Sequence, residues 1–279
     1  MTVRWRPWFD QRVRSIERND ATGITPDRAP RPPSSVLARA AAVVAAFDED
    51  HPALGIAEIA RRTALPKTTV HRLVAELVEL RVLDRDEGAK GRYRLGMWLF
   101  ELGELVPSHR TLSDAALPIM EDLLEATHQR IHLAVLDGID VVYVEILGAV
   151  DVELASRTGG RIPAHATGVG KAMLAYAPQA VVRERLEAGL PRLTPRTITT
   201  PGALGRDLQD IRTEGTAYDR EESHVGISCV AAPVFGSNRR VRAGLSITGR
   251  TSAIDPVRYG VAVRTAAFTL SRVLRESGL

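Results

Sequence analysis

The chain has 279 residues and a formal net charge of +3, from 37 Lys and Arg against 34 Asp and Glu, a length that predicts about two domains of roughly 100 to 200 residues each. Its single cysteine, Cys229, excludes an internal disulfide framework and a cysteine-based structural zinc site, and points to a reducing cytoplasmic compartment. No apolar run approaches the ~20 residues needed to span a bilayer, so no membrane partner is expected, and the modest net charge leaves any polyanionic partner to be argued from local clusters.

Residues 1–33 carry Arg4, Arg6, Arg12, Arg14, Arg18, Arg28 and Arg31 among Trp5, Trp8 and Phe9, and close on Pro30, Pro32 and Pro33. Asp10, Glu17, Asp20 and Asp27 interrupt the basic charge, and there is no apolar core of the signal-peptide kind. The composition predicts a disordered basic arm, either an inert extension or a supplementary phosphate contact.

A first folded domain is expected over 34–95. Ser34 or Ser35 can cap a helix with Val36, Leu37, Ala40, Val43, Val44 and Phe47 at helical spacing, ended by residues 48–52. Ile56, Ile59 and Ala60 then form one short apolar face, and Val70, Leu73, Val74 and Leu77 form a second beyond a break at Thr63-Ala64-Leu65. Helices this short must pack across one another, as in a helix-turn-helix. Ala64 stands where glycine often does and must accept an awkward backbone geometry. Pro66 suits the first position of the second helix. Lys67, Thr68, Thr69, His71 and Arg72 point away from the core and offer donors to phosphates and base edges. The apolar pattern continues through Leu80 and Val82 into two extended runs, 83–86 and 92–95, around a Gly-rich turn. That is a hairpin, and Arg85, Lys90, Arg92 and Arg94 on it are placed to touch a DNA backbone. Helix-turn-helix plus basic hairpin is a winged helix.

Residues 96–109 are expected to form a linker helix, apolar on nearly every side. Trp98, Leu99, Leu102, Leu105 and Val106 need a second surface, which a neighbouring subunit would supply, because winged helices that read paired half-sites act as dimers. Burial against the chain's own second domain is the other option.

Residues 110–279 predict an α+β domain with a central, largely antiparallel sheet. An amphipathic helix carries Leu112, Ala115, Ala116, Ile119, Leu123 and Leu124. Extended runs follow at 131–136, 141–146 and 152–156, the first two joined through Asp137-Gly138, a hairpin signal. Helical patterns at 170–175, 180–190 and 201–214 precede strands at 217–219, 226–235 and 242–248, and a last helix spans 256–276. Gly168-Val169-Gly170 opens a helical pattern, and backbone N–H groups at a helix N-terminus favour an anion. Ser246 and Thr248 alternate along one strand and share a face.

The winged helix and linker, Arg161-Ile162-Pro163-Ala164-His165-Ala166-Thr167-Gly168-Val169-Gly170-Lys171-Ala172, and Tyr218-Asp219-Arg220-Glu221-Glu222 followed by Gly226-Ile227-Ser228-Cys229-Val230-Ala231-Ala232-Pro233-Val234 together resemble the IclR (isocitrate lyase regulator) family of bacterial transcriptional regulators. The resemblance covers residues 34 to about 277. It implies a homodimer or dimer of dimers on double-stranded operator DNA, with a GAF-like C-terminal domain sensing a small molecule, an organic acid by analogy. It also implies a nucleoid-associated regulator, a repressor of catabolic or metabolic genes, with no cofactor. The effector-pocket positions that match are Ile162, Gly168, Val169, Asp219, Cys229, Ser246 and Thr248.

Two rival chemistries are weaker. Gly168-Val169-Gly170-Lys171 lacks the full G-x-x-x-x-G-K-S/T spacing of a nucleotide phosphate loop. A cysteine enzyme would pair Cys229 with His165 or His224 as base and Asp219 as orienter, but a cysteine in an apolar strand is usually inert packing. No two histidines stand in an H-E-x-x-H motif, so no metal is expected.

Overall fold

The computed structural model describes residues 35–48, 50–149 and 156–278. The basic arm at 1–33, and the extended run expected at 152–156 apart from Ser156, lie outside the described residues. The chain divides into two compact units between Val106 and Pro107.

In the first unit, α1 (Val36–Val44) is capped by Ser35, whose hydroxyl accepts the Ala38 N–H at 3.0 Å. Val36 and Leu37, expected on its inner face, are exposed; that face begins at Ala40 and continues through Val43, Ala46 and Phe47. Helices α2 (Ile56–Thr63) and α3 (Lys67–Glu79) follow. Ile59, Ala60 and Leu65 meet Val70, Leu73, Val74 and Leu77 in a core shared with α1. Pro66 is the residue before the first turn of α3, one place earlier than anticipated. Leu80 does not continue the apolar face: α3 stops at Glu79, Arg81 takes a left-handed backbone with φ 58°, and Leu80 is left exposed. Strands β2 (Leu83–Arg85) and β3 (Arg92–Leu95) form the antiparallel hairpin, with Arg85 opposite Tyr93. An unforeseen strand, β1 (Ala53–Gly55), pairs with the other edge of β3, giving the order β1-β3-β2. Helix α4 (Met97–Glu104) ends the unit.

Ala64 closes α2 at φ 56° and ψ 23°. The left-handed region costs an L-residue about 1 to 2 kcal/mol, partly offset on substitution by the extra freedom glycine brings to the unfolded chain. Ala64→Gly is therefore expected to raise stability by about 0.5 to 1 kcal/mol. Urea unfolding checks this, and a lower midpoint at unchanged slope would refute it.

The second unit opens with α5 (Pro107–Thr127), which starts at Pro107 because a proline without an N–H suits a first helical turn. Then come β4 (Arg130–Asp137), β5 (Asp140–Leu147), β6 (Arg161–Pro163), a single turn at Ala164–Ala166, α6 (Gly168–Leu174), α7 (Gln179–Glu187), α8 (Pro201–Glu214), β7 (Ala217–Arg220), β8 (Ile227–Phe235), β9 (Val241–Arg250) and α9 (Pro256–Glu276). The sheet is antiparallel throughout, in the order β6-β5-β4-β9-β8-β7. Side chains alternate across it. Ile131, Leu133, Val230, Ala232, Leu245 and Ile247 face α5 and α9. Ala134, Val141, Tyr143, Cys229 and Ala231 face the opposite way, toward α6 and α8. No described helix is long and apolar enough to cross a membrane.

Candidate functional site

The first unit presents a basic surface built on α3 and the wing. Packing of Val70, Leu73, Val74 and Leu77 turns the other side of α3 outward, so Lys67, Thr68, His71 and Arg72 are exposed and Thr69 is half-buried. Arg72 sits 3.9 Å from Glu76, a loose pair between exposed side chains. Arg85, Lys90, Arg92 and Arg94 are all exposed. Arg92 is already engaged: its Nη2 donates to Glu58 Oε2 at 3.1 Å, and Glu58 also accepts the Gly55 N–H at 3.2 Å. It ties the wing to the start of α2.

In the second unit, on the α6 face of the sheet, lies a pocket of about 410 Å³ including its mouth. Ile162, Val169, Asp219, Cys229, Ser246 and Thr248 line it, six of the seven positions carried over from the resemblance. Gly168 does not line it. A Cβ there would lie 2.5 Å from Cys229 Sγ, so this glycine lets α6 lie directly on β8. Gly170 is likewise a packing residue, since a Cβ on it would collide with the Ala164 carbonyl. The expected N–H cradle is partly used up as well, because the Thr167 hydroxyl accepts the Gly170 N–H at 3.0 Å and the Gly168 N–H bonds to the Cys229 sulfur.

Sequence reasoning missed His132, Tyr143, Ser156, Thr167, Ser223 and Ile227, which complete the lining together with His224, considered only as a base for Cys229. His132 was visible only as a polar residue in an apolar strand. Its Nδ1 lies 3.1 Å from Thr248 Oγ1 and its Nε2 3.4 Å from Ser156 Oγ. Burial, reinforced by the charge of Arg130, pushes its pKa down to about 3, so the imidazole is neutral. Tyr143 packs edge-on against it at 5.1 Å.

Asp219 accepts three hydrogen bonds from the β7–β8 loop: the Glu222 N–H at 2.6 Å, the Ser223 hydroxyl at 2.5 Å and the Ser223 N–H at 3.4 Å. Burial nevertheless pushes its pKa up to about 6. A carboxyl whose folded pKa lies above its unfolded value holds its proton more tightly when folded, so its contribution is fullest at low pH and is lost as pH rises through about 6. Asp219→Asn is therefore expected to gain on the order of 2 to 3 kcal/mol relative to the parent chain between about pH 4 and about pH 7. Parallel urea titrations at the two pH values measure this difference, and a constant gap would contradict it.

The same loop is clamped from α6. Lys171 is fully buried, with Nζ 2.7 Å from Glu222 Oε1 and 3.0 Å from Asp207 Oδ2. Burial alone would lower its pKa, but the two carboxylates together outweigh that and raise it. Thr197 and Thr194 donate to the Glu222 carbonyl at 2.7 and 3.3 Å. Lys171 is thus an internal ion-pair residue that fixes the pocket wall and does not offer its ammonium to a phosphate.

The geometry disfavours a cysteine nucleophile. Burial pushes the Cys229 thiol up to about 12, and its hydrogen-bond neighbours are Thr248, Ser246 and the Gly168 N–H. His165 points elsewhere, with Nε2 3.1 Å from the Pro191 carbonyl, and burial pushes it down to about 4. Among the described residues, the cluster of metal-ligating types is Asp48, Asp50 and His51, exposed after α1. There Asp48 is already bound to Arg62 at 2.5 Å and to His51 at 2.7 Å.

Known proteins share this arrangement. Residues 105–272 match the bacterial transcriptional regulator IclR C-terminal family, and residues 36–87 match the IclR helix-turn-helix domain. The HTH-type transcriptional regulator XynR of Escherichia coli is 34% identical over 241 residues, covering 85% of this chain and 95% of XynR. The HTH-type transcriptional regulator KdgR of the same species is 34% identical over 250 residues, covering 88% of this chain and 94% of KdgR. An IclR homologue from Microbacterium hydrocarbonoxydans, crystallised with 4-hydroxybenzoate, superposes with a TM-score of 0.78 at 33% identity, covering 87% of this chain and all of that one. A winged helix-turn-helix followed by a ligand-binding α+β domain, matched over both parts by regulators rather than enzymes, places this chain in the IclR family of bacterial transcriptional regulators.

Proposed function

We propose that the protein is a dimeric repressor of catabolic or metabolic genes that grips operator DNA with α3 and the wing and responds to a small organic acid bound in the pocket of its second unit. The observation that carries this reading is the pocket itself, whose polar wall of Asp219, Ser246, Thr248 and His132 is built on the rigid sheet and capped by Ile162 and Val169. Such a wall suits a small polar ligand, and the Microbacterium homologue was crystallised with an aromatic hydroxy acid. Dimerisation is supported by α4 and the residues just past its end: Met97, Phe100 and Leu102 on the helix and Leu105 and Val106 after it are exposed, while of the helix Leu99 alone packs on the core of the first unit.

Fluorescence anisotropy on duplexes from the flanks of the gene tests the reading. Thr68→Ala with Thr69→Ala is expected to reduce the preference for operator over random duplex, at about 1 to 3 kcal/mol for each lost base contact. Arg94→Ala is expected to weaken both duplexes alike and to flatten the salt dependence. Equal effects of both changes on both duplexes would remove the distinction between reading and positioning. A ligand shifts the regulator only through a difference in affinity between its states, so the bound acid is expected to change operator affinity. A panel of acids that leaves it unchanged would count against the sensing role.

A further inference from the structure

Among the described lysines and arginines of the second unit, only Arg130, Arg161, Lys171 and Arg185 are withdrawn from the surface. Such a cation is costly unless a carboxylate faces it, and three of the four have one. Lys171 faces Glu222 and Asp207, Arg185 faces Asp140 at 3.1 Å, and Arg161 faces Asp137. Arg130 differs. Its Nη2 donates to the Ser156 carbonyl at 3.2 Å, and its Nε is buried with no hydrogen-bond partner. Among the described residues, no carboxylate pairs with it.

Its place in the sheet identifies the missing partner. The register sets Arg130 opposite Thr248, Thr248 opposite Cys229, and Cys229 opposite Asp219. These four form one row across β4, β9, β8 and β7, with a cation at one end and an acid at the other. The last three line the pocket, as does Ser156 beside Arg130. With strands about 4.8 Å apart, the Cα atoms at the two ends of the row lie roughly 14 Å apart. Alternation puts Arg130 on the same face as His132, and its charge acts on both His132 and Tyr143, two walls of the pocket.

We infer that Arg130 anchors the carboxylate of the effector, so that the ligand lies with its charged end toward Arg130 and Ser156 and its uncharged end toward Asp219. This rests on reading the pocket as an organic-acid sensor. The unpaired Nε belongs to the guanidinium edge that meets a carboxylate, and the reverse orientation would set two carboxylates together beside Asp219. Arg130 is then a specificity-determining residue, separating acids from neutral molecules of the same shape.

Calorimetric titration of the full chain with benzoate, 4-hydroxybenzoate, succinate and glycolate, each beside its uncharged amide, tests the inference. At least one acid is expected to bind about 10- to 100-fold more tightly than its amide. Arg130→Gln and Arg130→Met are expected to weaken acid binding far more than amide binding, bringing the two within about twofold of each other, and Arg130→Lys to keep part of the preference. Because no carboxylate among the described residues depends on Arg130, the neutral variants are expected to melt at or above the temperature of the parent chain; their unfolding would make Arg130 a scaffold residue and end the proposal. Persistence of the acid preference in the neutral variants would overturn the role of Arg130 and leave the organic-acid pocket standing. Failure of every acid to outbind its amide on the parent chain would overturn both.

Discussion

Lys171→Met is expected to destabilise the protein by about 3 to 5 kcal/mol, the scale for removing one partner of a buried ion pair and leaving the other uncompensated. The substitution keeps the length of the side chain and strands two carboxylates, Glu222 and Asp207, which the ammonium now faces at 2.7 and 3.0 Å. Glu222 Oε2 has no hydrogen-bond partner among the described residues, and besides Lys171 the carboxylate accepts only a long bond from the Arg220 N–H, at 3.4 Å on Oε1. Ser223 and His224, which line the pocket, lie in the loop that Glu222 anchors, so effector binding is expected to fall with stability. Urea unfolding measures the first effect. A double change to Lys171→Met with Glu222→Gln is expected to recover part of the loss, because the stranded charge is then removed. A single variant destabilised by less than about 1 kcal/mol would show that the cluster is not held by its charges.

Leu102→Asp is expected to lower operator affinity by about a hundredfold or more, roughly 2.7 kcal/mol, together with the oligomeric state. Helix α4 contains no buried residue; Met97 and Phe100 on it are 62% and 63% exposed, and Leu105 just past its end is 73% exposed. A contiguous apolar surface of this kind marks an interaction site, and the proposed dimer would cover it. A monomer holds only one half-site and forgoes the contacts of the second. Sedimentation and anisotropy on the same preparation check both parts. Normal assembly combined with normal operator binding would place the interface elsewhere.

Much of the architecture is readable in the residues because its signals are local. The three-residue spacing of Ile56, Ile59 and Ala60 and the renewed face from Val70 specify two crossing helices without reference to the rest of the chain. Helices α8 and α9 begin and end where their caps say, with Pro201 and Pro256 in the first turns, Asp255 accepting the Val257 and Arg258 N–H groups, and Gly215 in the left-handed conformation after Glu214. Strands Ala53–Gly55 and Arg161–Pro163 carry no such signal. Three residues show no period, and each is a strand only because an edge of another strand is there to bond it.

The pocket divides along the same line. Asp219, Cys229, Ser246 and Thr248 are candidates through the resemblance of their motifs to the IclR family, and the alternation of Ser246 and Thr248 along one strand supports the last two. What they face is set by register: His132 meets Thr248 across 116 positions of sequence, and Ser156 reaches His132 across 24. Charged side chains illustrate the limit most clearly. Arg92 reads as one more basic residue on a wing, yet Glu58, 34 positions away, takes its guanidinium. Lys171 stands in an incomplete phosphate-loop pattern that gives it no partner, and Glu222, 51 positions on, takes its ammonium. Arg130 reads as an ordinary strand residue, and only the sheet sets it in a row with Thr248, Cys229 and Asp219 and, among the described residues, without a carboxylate of its own. Hydrophobic periodicity is a property of neighbours along the chain and so determined the elements from the sequence itself. The partner of a buried charge is chosen by distance and desolvation in three dimensions, and that only the tertiary structure decided.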